Sequence, residues 1–239
     1  MNKIKLSYLF PNLLTAASIF AGILSILYSI DSRFTLAIYM ILLSGILDSL
    51  DGKVARMTNS QSQFGLEFDS IADTVAFGVA PGMLLYLSIA HEYGRLGILV
   101  TAIFIIFGAI RLAKFNAITH SSSVFLGLPI PSGAIFIASY IYVMEEYVSE
   151  YVYIVPFLAI GVAFLMVSNI RYPSFKQNLF GKQYILRVLV GVLLLLSLLY
   201  LYTMETVFVA VNIYTFWGVT KTGYSLLLRK IKQKEKNAT

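Results

Sequence analysis

Residues 45–73 read GILDSLDGKVARMTNSQSQFGLEFDSIAD, and the fold turns on how their four aspartates are accommodated. Asp48 and Asp51 are three apart and share one face of a helix, while Asp69 and Asp73 are four apart and share a face of the next. Apolar stretches precede the first pair and follow the second, so both helices are candidates to enter a bilayer. An aspartate at mid-bilayer costs about 2.5–3.5 kcal/mol, so four would cost on the order of 10–14 kcal/mol, against about 5 kcal/mol returned by residues 34–47. The deficit places these turns at the helix ends, in a wet cavity, facing one another. The short link 57–64 makes the two helices antiparallel neighbours and brings both pairs together.

The whole composition agrees. Of 239 residues, 58% are hydrophobic and 13% charged, and the mean hydropathy is +0.79; soluble proteins carry roughly 25% charged residues. One soluble core of this size could not bury so much apolar surface. That excludes an ordinary soluble enzyme and a disordered chain. The absence of cysteine excludes a disulfide scaffold and thiol chemistry. A spanning helix needs about 20 mostly apolar residues, and eight stretches supply them, near 12–29, 34–56, 65–90, 96–116, 129–144, 151–169, 185–203 and 206–224. The first follows a basic start as a signal peptide would, but seven further spans make it a retained helix. With a cytoplasmic N-terminus and every stretch crossing, sixteen of the eighteen Lys and Arg fall on the cytoplasmic side and only Arg33 and Arg95 opposite. The expected fold is an all-α polytopic membrane protein of about eight transmembrane helices in the cell membrane, with both termini and the aspartates facing the cytoplasm. The net charge of +6 therefore reports topology. The basic run 229–236 also meets anionic lipid, and no nucleic-acid partner is expected because no binding fold surrounds it.

Four convergent carboxylates repel one another and require cations. With oxygen ligands alone, and no Cys or His on either helix, a hard divalent ion such as Mg2+ or Mn2+ fits. Two such ions suit a phosphate or pyrophosphate substrate. Gly52 lets a ligand approach the backbone, Arg56 one turn on can clamp a phosphate, and Gly65 opens the next helix as a tight turn. A structural polar contact between helices and an ion-conduction site are the alternatives.

The spacing from Asp48 to Asp73 resembles the signature of the CDP-alcohol phosphotransferases, D-x2-D-G-x2-A-R-x8-G-x3-D-x3-D, complete here as Asp48, Asp51, Gly52, Ala55, Arg56, Gly65, Asp69 and Asp73. The resemblance implies a helical membrane enzyme, usually a homodimer, that moves a phospho-alcohol group from a CDP-linked donor to an acceptor hydroxyl and releases CMP. It implies one metal ion on Asp48, Asp51 and Asp69 and another on Asp48, Asp69 and Asp73, with Asp73 also the general base. It puts Gly52, Ala55, Arg56, Ser62 and Gly65 around the CDP moiety. The first helix opens PNLLT from Pro11, similar to the family's P-N-x-x-T, which implies that Asn12 and Thr15 lie near the nucleotide. Apart from the resemblance they read as ordinary helix-start residues. A site at the membrane face lets the donor's chains stay in the bilayer while its head enters the cavity.

RLAKFNA from Arg111, GLPIPSGA from Gly127 and NIRYPSFK from Asn169 resemble the phosphatidylserine synthase branch of that family, with Lys114 where an arginine is more usual. The branch implies transfer from CDP-diacylglycerol, or an ether-lipid analogue, to the hydroxyl of L-serine. Arg111 is then the partner of serine's carboxylate, with Asn116 in support. On charge alone Arg111 and Lys114 read as positive-inside anchors, Pro129 and Pro131 as helix-start prolines, and His120 as a solvated loop residue. The resemblance divides the chain into a membrane core, 1–172, and a two-helix extension with a basic tail, 173–239.

Three other readings compete. Glycerol 3-phosphate or an inositol phosphate as acceptor predicts more Lys and Arg around 111–120. An intramembrane prenyltransferase predicts acidic motifs several helices apart, whereas Asp51 and Asp69 are 18 residues apart. A divalent-cation transporter predicts a second copy of the acidic motif after residue 73. Elsewhere, Gly78, Pro81 and Gly82 predict close packing or a kink, and the aliphatic run 188–201 predicts a lipid-facing helix.

Overall fold

A few residues decide where this chain turns. The computed structural model describes residues 6–118, 125–147, 149–172 and 201–236. Helix α1 (Leu6–Ile30) ends in a short turn where Ser32 takes a φ of 59° and Arg33 N–H donates to Tyr28 O at 2.8 Å. The chain returns as α2 (Phe34–Met57), and the buried hydroxyls of Ser18 and Ser44 meet at 2.7 Å across the pair. Ser62, in extended conformation, caps α3 (Gln63–Asp73) by accepting from Gly65 N–H at 3.0 Å.

The third span does not stop at Asp73. Thr74–Val79 form a π-helical turn that runs into α4 (Ala80–Ser88), making one span of Gln63–Ser88. Pro81 accounts for it: proline has no N–H to donate and its ring strikes the carbonyl four residues back. The wider turn, in which Ala80 N–H reaches back to Val75 O, accommodates both defects. Gly82 serves packing, since a Cβ there would stand 2.7 Å from Ile105 Cγ1.

A 3-10 turn (Ala90–Tyr93) leads to α5 (Arg95–Ile118). Two-residue strands β1 (Phe125–Leu126) and β2 (Arg171–Tyr172) pair antiparallel. Gly127, at φ 79°, turns the chain into α6 (Ile130–Tyr147), with Pro131 in its first turn. After a 3-10 turn (Ser149–Ile154) come α7 (Val155–Val167) and, from Thr203, α8 (Thr203–Lys236).

The third span is the hub. Half of its most apolar window is buried, against 28–39% for the other long spans. Its Ala76, Phe77, Leu84 and Leu85 form one buried cluster with Ile38 and Ile41 of α2, Phe104 of α5 and Ile137 of α6. Leu13, Phe20 and Leu27 of α1 and Ile98 and Ile106 of α5 stay exposed, as residues facing lipid do. Among the described residues, Leu9–Ile30, Phe34–Met57, Gln63–Ser88 and Arg95–Ala117 are long and apolar enough to cross a membrane, and Tyr151–Val167 is a shorter apolar run. The chain is an all-α polytopic membrane protein. The expected span 185–203 lies, but for its last three residues, outside the described residues, as do His120 and Lys176; α8 covers the eighth span and continues through 229–236.

Candidate active site

The helix turns that carry the aspartates meet against α1. Asp48, Asp51 and Asp69 each bring a carboxylate oxygen within 4.8 Å of the others. Asp51 is buried; Asp48 and Asp69 are half-buried. Asp73 lies outside this tight triad and faces Asp48 and Asp69. One oxygen of Asp69 and one of Asp73 are buried without a hydrogen-bond partner. Buried carboxylate oxygens without donors are costly, and a hard divalent cation satisfies such an all-oxygen set. The residues present fit a metal ion, and the triad could hold one.

Thr15 orients the triad from α1. Its hydroxyl donates to Asp51 Oδ2 at 2.6 Å, with Pro11 O at 3.1 Å as the competing acceptor. Thr15 and Asp51 are 4% and 5% exposed, so the charged acceptor wins a proton that water cannot replace. Thr15→Val keeps the shape and removes the donor. It is expected to weaken Mn2+ binding about 10–100-fold, measured by paramagnetic resonance titration; unchanged affinity would make Thr15 a packing residue.

The residues that the family resemblance sets around the CDP moiety lie close together in two groups. Asn12 Oδ1 and Ser62 Oγ would stand 3.3 and 3.2 Å from a Cβ on Gly65, so α1 and α3 approach here because residue 65 is glycine. Arg56, exposed, lies back over half-buried Gly52, with Nη1 3.5 Å from where a Cβ would stand, and is an electrostatic neighbour of Asp51. Ala55 is half-buried one turn beyond Asp51.

On the other side of the carboxylates stands Arg111 of α5, only 6% exposed. Its electrostatic neighbours are Asp73, Tyr214 and Asp48, and its guanidinium carbon lies 5.2 Å from the Phe115 ring centroid. Its Nε is buried without a partner. A membrane-surface anchor extends toward water; Arg111 points into the protein instead. Lys114 donates to Asn169 Oδ1 at 2.9 Å and Val167 O at 3.3 Å, holding the end of α7. Asn116 Nδ2 donates to Ser70 Oγ at 2.9 Å, so its link to the cavity runs through α3, beside Asp69.

The family model for CDP-alcohol phosphatidyltransferases matches residues 8–167, which hold all of these side chains but Tyr214 and Asn169. The chain belongs to that family. The CDP-diacylglycerol–serine O-phosphatidyltransferase of Helicobacter pylori is 42% identical over 238 residues, 97% of this chain and 98% of the relative. The archaetidylserine synthase of Methanothermobacter thermautotrophicus is 40% identical over 165 residues, 68% and 69% of the two chains. A CDP-diacylglycerol–serine O-phosphatidyltransferase of Bacillus subtilis is 34% identical over 171 residues, 70% and 92%. Membership of this enzyme family sets aside the transporter and prenyltransferase readings.

Within this CDP-alcohol phosphatidyltransferase, four residues escaped the sequence reading: Ser70, Asn169, Tyr172 and Tyr214. Ser70 lies between Asp69 and Asp73 and was open to inspection. Asn169 and Tyr172 fall in the NIRYPSFK segment without any local mark of their partners, and Tyr214 sits in an ordinary aromatic-rich helix.

Proposed function

We propose that the protein transfers the phosphatidyl group of CDP-diacylglycerol, or of an ether-lipid analogue, to the hydroxyl of L-serine, releasing CMP. Arg111 carries this reading. A buried guanidinium with an unpartnered Nε, facing Asp73, suits the carboxylate of a small amino-acid acceptor. The names of the three relatives point the same way.

Asp48, Asp51 and Asp69 hold one divalent ion, Mg2+ or Mn2+, and Asp48, Asp69 and Asp73 a second. When bound, such ions neutralise the pyrophosphate and the charge that develops on departing CMP. Arg56 clamps a donor phosphate at the cytoplasmic mouth, Gly52, Ala55 and Gly65 leave room for the head group, and Asn12 and Ser62 contact the CDP moiety. Thr15 keeps Asp51 turned toward the cavity. Asp73 accepts the proton of the serine hydroxyl as that oxygen bonds to the phosphorus bearing the diacylglycerol. The bond from that phosphorus to the CMP oxygen breaks, and CMP leaves. Arg111 holds the serine carboxylate so that the hydroxyl faces Asp73, and Asn116 supports that side through Ser70. The catalytic core is 1–172 and the extension 173–239. The enzyme works as a homodimer in the cell membrane, with its cavity and both termini on the cytoplasmic side.

Arg111→Ala tests the acceptor assignment. Losing a charge-assisted hydrogen-bond partner is expected to raise the serine KM about 10–100-fold, with the KM for CDP-diacylglycerol unchanged within about twofold. An equal rise for both substrates would move Arg111 to a structural or nucleotide role.

A further inference from the structure

A spacing of four residues runs the length of the third span. Ala72, Ala76, Ala80 and Leu84 recur at that interval, and all are buried. Asp69, Asp73, Phe77, Pro81 and Leu85 form a second row beside them, buried from Phe77 onward. A regular α-helix cannot keep such rows straight. Each residue turns about 100°, so a step of four overshoots a full turn by about 40°. Over the four steps from Asp69 to Leu85 the overshoot would reach about 160°, which sets the carboxylate on the far side of the helix from the leucine.

The π-helical turn Thr74–Val79 removes most of that drift. It begins at the residue after Asp73, and a π-helical turn amounts to one residue inserted in the α-helical ladder. One residue is about 100° of rotation, so only about 60° is left. Asp69 and Asp73 therefore stay on the side of the span that Phe77 and Leu85 bury against its neighbours. Pro81 keeps the wider turn from tightening into an α-helical one.

The turn is seated from two sides. On one, a Cβ on buried Gly22 of α1 would stand 2.9 Å from Ala76 Cα and 3.2 Å from Ala76 Cβ, so α1 meets the backbone of the turn itself. On the other, Cδ1 of fully buried Ile130 lies 3.8 Å from where a Cβ on Gly78 would stand and 2.7 Å from one on Gly108 of α5. Gly22 follows Thr15 by seven residues, about two helical turns. One face of α1 thus holds Asp51 of the second span through the Thr15 hydroxyl and the third span through Gly22. Ala76 is three residues from Asp73, and one buried oxygen of Asp73 has no hydrogen-bond partner. The backbone that carries Asp73 must fix the place of that oxygen.

We infer that the π-helical turn is the register that points Asp69 and Asp73 into the cavity, and that Gly22, by admitting the Ala76 backbone, is a positioning residue for Asp73. This rests on the reading of Asp73 as the general base.

Gly22→Ala adds a methyl group that the Ala76 backbone must move to accommodate, while alanine favours the α1 helix more than glycine does. In full-length protein in detergent, with CDP-diacylglycerol and L-serine, kcat is expected to fall about 10–100-fold, as for a displaced catalytic group. The KM for each substrate and Mn2+ binding at Asp48, Asp51 and Asp69 should stay within about threefold. Adding Ala76→Gly, which removes the Cβ at 3.2 Å and loosens the turn, should restore most of kcat. Gly161→Ala puts the same methyl on α7, where nothing lies within 4 Å, and should leave kcat unchanged. A wild-type kcat in Gly22→Ala beside a lowered one in Asp73→Asn would overturn the role of Gly22 alone. Loss of donor affinity or of folded protein in Gly22→Ala, or a fall in kcat that Ala76→Gly does not relieve, would make Gly22 a packing residue and overturn it too. A wild-type kcat in Asp73→Asn would overturn the reading of the base and this inference with it.

Discussion

Asp48→Asn is expected to lower CMP release from CDP-diacylglycerol about 1,000-fold or more. Asp48, like Asp69, belongs to both proposed sets: it lies in the triad with Asp51 and Asp69, and it faces Asp69 and Asp73 together. The charge stabilisation at stake is several kcal/mol, and each 1.4 kcal/mol or so is tenfold in rate. The same substitution is expected to abolish tight Mn2+ binding in a substrate-free titration, which separates a lost ion from a lost side-chain contact. Glu67→Gln is the matched control: Glu67 is exposed on the same helix as Asp69, accepts from Gln63 Nε2 at 2.9 Å, and should retain activity within about twofold. More than a tenth of the activity left in Asp48→Asn would contradict a metal centre built on this cluster.

Asp73→Asn carries the second large effect. A positioned general base contributes about 100–10,000-fold, and kcat is expected to fall by that factor. Because Asp73 lies outside the triad of Asp48, Asp51 and Asp69, the mutant should still bind Mn2+ there and hold CDP-diacylglycerol with a KM near that of the wild type. Steady-state kinetics beside a metal titration distinguishes the roles. Loss of the triad's own Mn2+ and of donor affinity together with kcat would make Asp73 a residue that holds the whole metal site together, and would contradict its role as the base.

The aspartate constellation was legible because it lives in short-range sequence. Spacings of three and four put each pair on one helix face, and the link 57–64 leaves no geometry but an antiparallel one. The four long spans among the described residues were legible because a bilayer imposes a length and a composition, and Pro131 was legible as a helix-start proline. Contacts between distant residues were hidden. Lys114 read as an anchor, yet its partner Asn169 is 55 residues on; local charge cannot tell a helix-capping lysine from one in solvent. Thr15 read as a helix-start residue or a nucleotide contact, and its hydrogen bond to Asp51 spans 36 positions. The π-helical turn at Thr74–Val79 was visible only as Pro81, because proline announces a defect without saying how the backbone absorbs it. Tyr214 had no signal at all, since its place depends on how α8 docks against Tyr172.

The most direct measurement is product analysis with the purified protein in detergent, CDP-diacylglycerol, Mg2+ or Mn2+, and labelled L-serine. Parallel reactions contain glycerol 3-phosphate or an inositol phosphate, and Asp73→Asn serves as the control. The expected result is labelled lipid with an equal amount of CMP, formed only with serine and lost in the mutant. CMP formed only with another acceptor would contradict serine as the substrate, and no CMP with any acceptor, from folded protein that binds the donor, would contradict the proposed reaction itself.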